Sequence, residues 1–417
     1  MNQSTVNRHR PPSNGEPLTA RQLTNLRAKR RRMYRRRRVV AVFLLLFSIF
    51  FIWLVFSLGG ALLNPALGSS LTSRFAEWAR THGAASIVNW TENEWYSHHA
   101  PPVGGTVPPG AIRTPSKSSA SVVTSAAYLP TPASMVPFAS PSLPGEGEWS
   151  PVGRRVDGVP AIYETTLRPD AVHTSYVVGV VWMDTKLLHA TLYSGSWIPG
   201  GGPYPFSAPI KSPSARSLVA AFNAGFLMPE ANGGYYTDGE MVKPLRNGAA
   251  SFVVNSDGSS NVVAWSHGAN VPSTVVSVRQ NLDLLVNNGR PVPGLNATDT
   301  YKWGFTLGNA VYVWRSGLGV TANGALVYVG GPGLNITDLA NLLVRAGAVR
   351  AMELDINTDW VNFSSYKPPT PEGLAAATNG TELLPAMTGT PARYFESWWA
   401  RDFITMSAVA STKTGQG

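Results

Sequence analysis

Two carboxylates, Glu353 and Asp355, stand two positions apart in the apolar stretch 349–356. Side chains of a strand point alternately to its two faces, so this spacing predicts both carboxylates on one face, with Cα atoms about 6.5–7 Å apart. Such a pair can share a cation or divide general acid and base roles. Asp359 follows in a polar loop and could join them. The alternative, a solvated pair on an exposed strand face, is weakened by the apolar flanks.

Polar side chains also interrupt other apolar runs. Asn223 breaks the run 220–226, and a buried asparagine can either satisfy a turn or fix a sugar hydroxyl or carbonyl group. Asp238, in the glycine-rich stretch that follows, and Asn357, beside the carboxylates, are further candidates for substrate contact.

Arg315 ends the apolar run 311–315. A planar guanidinium there suits the paired oxygens of a phosphate or carboxylate group. Pairing with Glu353 or Asp355 inside the protein would serve structure equally well, so the sequence leaves both interpretations open.

Several chemistries are excluded or disfavoured. The chain has no cysteine, which excludes disulfides, thiolate metal sites and cysteine nucleophiles. It has no H-E-x-x-H or other close histidine pair, which disfavours zinc, and no G-x-S-x-G motif of serine hydrolases. The glycine-rich residues 330–333 match neither a dinucleotide-binding nor a Walker pattern, and they predict a turn.

Positive charge is concentrated at the N-terminus. Residues 1–38 hold twelve Arg or Lys against one Glu, a net charge of +11, whereas the whole chain carries +10. The other residues therefore sum to −1, so we expect no nucleic-acid partner for the folded part. Residues 39–63 carry no charge, and a helix of that length extends about 37 Å, enough to cross a bilayer.

The order of these segments predicts a single-pass signal anchor in the cell membrane. Basic residues before an apolar span stay in the cytoplasm, so residues 1–38 are predicted to be cytoplasmic and the chain after residue 63 extracellular. A cleaved signal peptide is the alternative, and the long apolar run disfavours it. The lipid bilayer is therefore an expected partner.

Composition divides the rest of the chain. Residues 64–99 place apolar and aromatic side chains at helical spacing, typical of an amphipathic juxtamembrane segment or, equally, of an arm that packs on the folded domain. Residues 100–150 are rich in Pro, Ser, Ala and Gly and predict a disordered linker. Over 151–417 short strands with tight turns are interrupted by one helix, which either Asn335 or Thr337 can cap. The predicted fold class is α+β, with a mostly β core and few helices.

Three motifs occur in an order that resembles a known family. They are Phe-Asn-Ala-Gly-Phe around Asn223, Arg-Ser-Gly-Leu-Gly-Val from Arg315, and Arg-Ala-Met-Glu-Leu-Asp ending at Asp355. Over roughly residues 170–410 the chain resembles the phosphodiester glycosidase domain family. The resemblance implies hydrolysis of sugar-phosphodiester or related glycosidic links, with these three residues at the motif positions. It also implies a divalent ion, with calcium expected at Asp355 and Asp359.

One motif departs from the family pattern. The family continues Leu-Asp with a Gly-Gly-Gly-Ser run, whereas residues 356–359 read Ile-Asn-Thr-Asp, and Glu353 stands where an asparagine is common. Glycines in such a loop allow close backbone approach to phosphate. The added negative charge requires neutralisation by Arg315 or a cation, or else favours a neutral glycan substrate.

These observations predict a membrane-anchored extracellular glycosidase that acts on a sugar-phosphodiester or related glycosidic link in a cell-envelope polymer. Glu353 and Asp355 would supply acid/base or metal chemistry, while Arg315 and Asn223 would hold the substrate. The alternative is a non-catalytic glycan-binding or envelope-organising protein on the same fold. Hydrolysis of an aryl-sugar phosphodiester distinguishes the two.

Overall fold

The computed structural model describes residues 19–88, 90–91, 101–113, 127–295, 300–303 and 312–410. The chain divides into two compact units, Met1–Leu63 and Asn64–Gly417. The first contributes one helix, α1 (Ala20–Leu63), which by length and composition could cross a membrane. Its apolar side chains are exposed. Exposed apolar surface of this extent is unfavourable in water, which fits the apolar span predicted within this helix.

The second unit consists mainly of short strands. Its described strands are β1 (Ser150–Val156), β2 (Val159–Leu167), β3 (Val178–Met183), β4 (Leu188–Tyr193), β5 (Leu218–Asn223), β6 (Tyr235–Thr237), β7 (Glu240–Lys243), β8 (Ala250–Asn255), β9 (Ser260–Ala264), β10 (Val275–Gln280), β11 (Leu284–Asn287), β12 (Arg290–Pro291), β13 (Val313–Thr321), β14 (Leu326–Leu334), β15 (Ala348–Glu353), β16 (Phe363–Tyr366), β17 (Gly380–Glu382) and β18 (Phe403–Ala408). Its described α-helices include α2 (Leu71–Ala79), α3 (Ser212–Ala215), α4 (Thr300–Trp303) and α5 (Ile336–Arg345), and residues 85–88 and 90–91 are also helical. Short 3₁₀ turns occur at Pro65–Leu67, Ala377–Asn379 and Pro391–Phe395, and a π turn at Arg80–Ala84.

These strands form three antiparallel sheets. The largest has the order β1-β2-β3-β14-β13-β15-β11-β12, and the two five-stranded sheets have the orders β7-β6-β10-β8-β9 and β17-β16-β5-β18-β4. The predicted α+β class with a mostly β core and few helices is confirmed.

Helix α5 packs on the eight-stranded sheet. Its start is fixed by Asn335, whose Oδ1 accepts a hydrogen bond from the backbone N of Asp338 at 2.8 Å, as the sequence predicts. Leu343 lies over Gly317 of β13, where a Cβ atom would approach the leucine side chain to 2.9 Å. The next residue of the strand, Leu318, belongs to the main core instead. Successive side chains of β13 therefore face the helix and the main core in turn.

The tight turns predict hairpins of 251–255 with 261–265 and of 311–315 with 325–329, and β8 pairs with β9 and β13 with β14 accordingly. A third predicted hairpin, of 176–183 with 187–193, does not form, because β3 pairs with β2 and β14 while β4 pairs with β18. Residues 330–333 do not form the predicted turn and instead extend β14. The glycines are needed there because a Cβ on Gly331 would come within 2.7 Å of Val178.

The linker predicted over residues 100–150 is packed in its second half, which corrects that prediction. Glu146 is buried and accepts hydrogen bonds from Nε and Nη2 of Arg168 at 3.0 and 2.8 Å. Met135 belongs to a hydrophobic cluster of the sheet. The composition of the segment predicts disorder because most of its residues are Pro, Ser, Ala and Gly, whereas the packing depends on a few others such as Glu146 and Met135. Residues 114–126 lie outside the described part of the chain.

Helix α2 turns its polar side inward. Leu71 and Phe75 are 64% and 48% exposed, whereas Glu77 is buried. The hydroxyl of Ser70 caps the first turn. The predicted amphipathic segment therefore packs through its polar face and leaves its apolar face exposed; its residues 92–99 lie outside the described residues.

Candidate functional site

Asp355 lies in the loop that follows β15. Its side chain is buried, and Oδ1 accepts hydrogen bonds from the backbone N of Ile356 at 2.8 Å and of Asn357 at 2.9 Å. Burial raises the pKa of the Asp355 carboxyl to about 7, while the charge of Arg401 and these hydrogen bonds act to lower it. A carboxyl group with a pKa near neutrality can take up and release a proton at physiological pH.

Asn223 and Ser316 fix the backbone at Asp355. Ser316 Oγ accepts hydrogen bonds from Asn223 Nδ2 at 3.0 Å and from the backbone N of Asp355 at 3.1 Å. Asn223 Oδ1 accepts from the Tyr328 hydroxyl at 2.9 Å and from the backbone N of Asn362 at 3.1 Å. The second amide hydrogen of Asn223 goes to a backbone carbonyl. Since its hydrogen-bonding capacity is used inside the protein, Asn223 positions the site rather than contacting substrate.

Asn281 holds the end of β15 from another side. Its Nδ2 donates to the carbonyls of Glu353 at 2.9 Å and Leu354 at 3.1 Å, and its Oδ1 accepts from the backbone N of Phe226 at 3.0 Å. A Cβ on Gly225 would come within 2.8 Å of Asn281 Oδ1. This close approach explains the glycine in the Phe-Asn-Ala-Gly-Phe motif.

Arg315 and Glu353 form a buried ion pair. Nη1 lies 2.5 Å from Oε1, and the two side chains are 1% and 0% exposed. Arg315 Nε also donates to the carbonyl of Leu334 at 3.0 Å. Burial raises the pKa of Glu353 to about 7, and the charge of Arg315 acts against this shift. Of the two interpretations left open by the sequence, the geometry favours the structural pair for Arg315.

The carboxylates of Glu353 and Asp355 do not share one face of a strand. β15 ends at Glu353, and Leu354 and Asp355 then both bond Ser316 of β13, an irregularity that breaks the alternation before Asp355. Glu353 pairs with Arg315, whereas the charges that act on Asp355 are those of Arg401 and Glu230. The shared-face prediction is wrong because it assumes that the strand continues for two more residues.

The remaining predicted residues separate into two groups. Asp238 lies in the exposed turn between β6 and β7, in a sheet that contains neither β13 nor β15. Asn357 lies next to Asp355, and its Oδ1 accepts from the backbone N of Asp359 at 2.8 Å. The carboxylate of Asp359 accepts from the hydroxyl of Ser69, just before α2. The structure therefore brings Asn357 and Asp359 to the Asp355 loop and leaves Asp238 apart from it.

Residues 216–355 match the family model described as phosphodiester glycosidase. The resemblance seen in the motifs is confirmed. The matched stretch contains Asn223 and Arg315 and ends at Asp355. The positioning network and the candidate acid/base residue therefore lie within the phosphodiester glycosidase match.

Two solved structures are similar to this chain at low identity. The catalytic domain of zebrafish N-acetylglucosamine-1-phosphodiester alpha-N-acetylglucosaminidase, auto-inhibited by its pro-peptide, is 15% identical with a TM-score of 0.38, covering 62% of this chain and 87% of that chain. A hypothetical protein from Synechocystis is 14% identical with a TM-score of 0.32, covering 62% of this chain and 64% of that chain. None of the curated proteins matches this chain.

The carboxylates expected to hold calcium already have hydrogen-bond partners. Asp355 Oδ1 accepts from two backbone N–H groups, and Asp359 accepts from Ser69. Calcium takes six to eight oxygen ligands, and among the described residues no group of three or more His, Cys, Asp or Glu could hold a metal ion. The calcium site at Asp355 and Asp359 therefore stays a prediction, and we assign no chemical step to a metal.

A cavity of about 340 Å³ lies between α2 and the loop after Asp355. One wall includes Trp360. Hydroxyl, amide and carboxylate groups on the lining suit the hydroxyl groups of a sugar. The polar lining side chains include Ser69, Ser73, Asn357, Asp359 and Thr388.

Arg401 also belongs to the candidate site, although no sequence motif points to it. Its charge is near enough to Asp355 to lower the pKa of that carboxyl, against the effect of burial. Its guanidinium stacks on the Trp360 ring, 4.4 Å from the centroid. The next residue, Asp402, pairs with Arg279, with Nε 2.6 Å from Oδ2. The sequence does contain a signal for this site, because the charged residues Arg401 and Asp402 stand between the Trp398-Trp399 pair and the apolar strand β18.

Proposed function

We propose that this protein hydrolyses a sugar-phosphodiester or related glycosidic bond, with Asp355 as its general acid/base residue. The observation that carries this proposal is a buried carboxyl whose pKa is raised to about 7, in a loop whose backbone is held by Asn223 and Ser316. The family match over residues 216–355 supports the reaction class. A carboxyl group with this pKa is suited to proton transfer near neutral pH.

The proposed reaction adds water across the bond between a sugar carbon and a phosphate oxygen. The sugar gains a hydroxyl group, and a phosphate monoester leaves. Asp355 exchanges the proton that this addition requires, and Arg401 stabilises its carboxylate form. Asn223 and Ser316 keep the loop in place during the reaction.

We place the catalytic unit outside the cell on a single-pass anchor. Helix α1 fits an anchor or a signal sequence by its length and composition. The twelve basic residues within 1–38 favour a cytoplasmic N-terminus. A glycan or sugar-phosphodiester polymer of the cell envelope is then the substrate within reach.

The test is hydrolysis by the full chain purified in detergent. A shortened chain is unsuitable because residues 127–149 and α2 are packed parts of the unit that carries Asp355. The substrates are an aryl-sugar phosphodiester and isolated envelope glycan, each with and without added calcium. We expect release of the aryl phosphate by the wild type. Binding of the glycan without hydrolysis of either substrate would instead support the non-catalytic glycan-binding function, for which the polar cavity is suited.

A further inference from the structure

Arg401 carries a buried N–H group without a partner. The residue is 7% exposed, and its Nη1 has no hydrogen-bond partner among the described residues. A charged donor in the interior is costly unless an acceptor satisfies it. The position therefore calls for an anionic acceptor that the described part of the chain does not supply.

A second arginine in the same aromatic group has the same property. Arg393 is 6% exposed and lies over the Trp399 ring, 4.6 Å from the centroid, and that ring meets Trp360 edge-on at 5.6 Å. Within the described ranges, Nε of Arg393 and Nε1 of Trp399 also lack partners. With Arg401, which stacks on Trp360, these side chains form a connected group that we call the Arg/Trp group. It carries two positive charges and three unpartnered buried donors.

The backbone is shaped to hold the Arg393 guanidinium. A Cβ on Gly389 would collide with it, so only glycine leaves the necessary room. The carbonyl of Gly389 is itself fixed by Asn362 Nδ2 at 2.9 Å. Nη1 of Arg393 donates to the carbonyl of Asp359 at 3.2 Å, which orients the planar group.

The Arg/Trp group adjoins both the cavity and Asp355. Trp360 and Asp359 line the cavity of about 340 Å³, and the charge of Arg401 acts on Asp355. The charges of Asp355 and of Asp359 act on Arg401 and on Arg393, but these carboxylates accept their hydrogen bonds from the loop backbone and from Ser69. Among the described residues, three donors of the Arg/Trp group therefore remain without an acceptor beside a pocket suited to a sugar.

We propose that the Arg/Trp group binds the phosphate of the substrate, while the sugar occupies the adjoining polar cavity. Planar guanidinium groups match phosphate oxygens in shape and charge. Arg393, Trp399 and Arg401 lie beyond the family match, which ends at Asp355, so this assignment comes from the geometry alone. The proposal rests on the proposed function and names the chemical group that its site recognises.

Binding of inorganic phosphate tests the proposal without turnover. Calorimetric titration of the full chain in detergent is expected to show saturable binding, weakened by roughly 10- to 100-fold in Arg401→Met, the range for charge-assisted hydrogen bonds. Arg350→Met is the matched control, because Arg350 bonds the Val262 carbonyl and Asn261 in another part of the unit. It should bind phosphate as the wild type does. Absence of saturable binding in the wild type, or equal affinity in Arg401→Met, would overturn the proposal.

Trp399→Phe is a second variant for the phosphate titration, for the case that Arg401→Met does not fold. It removes the Nε1–H donor and keeps an aromatic ring, so we expect phosphate affinity about 3- to 10-fold lower with a folded circular dichroism spectrum. Unchanged phosphate affinity in folded Trp399→Phe would count against the proposed phosphate site.

A substrate comparison separates this site from the proposed function. Arg401→Met should raise KM for an aryl-sugar phosphodiester more than for an aryl glycoside without phosphate. An equal rise for both would contradict the phosphate site. Phosphate binding by a wild type that hydrolyses neither substrate would contradict the proposed function and leave the phosphate site supported.

Discussion

Asp355 is the residue on which the proposed chemistry depends. Asp355→Asn keeps the Oδ1 acceptor for the backbone N of Ile356 and Asn357 but cannot exchange a proton. We expect turnover to fall by about 10²–10⁴-fold, the contribution of general acid–base groups, measured as release of aryl phosphate. Asp238→Asn is the control, since that carboxylate lies on an exposed turn in a different sheet. Full turnover in Asp355→Asn would contradict the assignment.

The raised pKa of Asp355 also gives stability a pH dependence. An unfolded aspartate has a pKa of about 3.9, whereas burial raises that of Asp355 to about 7. Between these values the folded state keeps a proton that the unfolded chain has released, so the free energy of unfolding falls as pH rises from about 4 to 7. Asp355→Asn removes this penalty. Its Tm should therefore exceed that of the wild type at pH 8 and approach it at pH 4; a pH-independent difference would contradict the explanation.

Glu353→Gln tests the buried ion pair. It leaves the Arg315 charge in the interior without its partner, so we expect a loss of about 3–5 kcal/mol in the free energy of unfolding, measured by urea denaturation. Turnover per folded molecule should stay near that of the wild type. Lost turnover with unchanged stability would instead place Glu353 in the chemistry.

Helices and hairpins that depend on neighbouring residues can be predicted from the sequence. Asn335 caps α5 and the hairpin of β8 and β9 forms, because each depends on a few neighbouring residues. Pairing of β4 with β18 could not be predicted, since the partner lies far along the chain. The irregular end of β15 is equally hard to predict, because Ser316 of β13 and Asn281, both distant in sequence, bond the backbone of residues 353–355. Arg401 was missed for the same reason, as its contact with Trp360 is tertiary.

Glu146 anchors the segment 127–149 through its pair with Arg168. Burial acts to raise the pKa of the Glu146 carboxyl, but hydrogen bonds from Arg168 hold that pKa below its usual value. A lowered carboxyl pKa stabilises the fold above the unfolded pKa of about 4.3, and this stability is lost as pH falls through the folded pKa. Glu146→Gln should therefore lower the Tm at pH 7, and the difference should shrink in acid.

Glu148→Gln is the matched control for that change, because Glu148 is exposed. Its free energy of unfolding should stay within about ±0.5 kcal/mol of the wild-type value, the range that surface substitutions produce. Equal melting of Glu146→Gln and the wild type at pH 7 would show that this segment adds no stability.

The basic residues that precede the apolar span 39–63 predict the orientation of the chain in a membrane. Protease added to intact cells should remove the unit after residue 63 and spare residues 1–38, because basic residues before an apolar span remain in the cytoplasm. Antibodies against each end provide the readout. A cleaved N-terminus with a protected C-terminal unit would reverse the proposed topology.

Both edges of the eight-stranded sheet have features that hinder further pairing. β12 is two residues long and ends in Pro291, which has no N–H to donate. At the opposite edge, β1 contains Pro151 and a register shift between Val152 and Arg155. Anchoring by α1 would crowd neighbouring copies into one plane, where open strand edges nucleate aggregation. The prolines and the register shift at the two sheet edges would therefore let many copies lie side by side on a membrane without pairing through their strands.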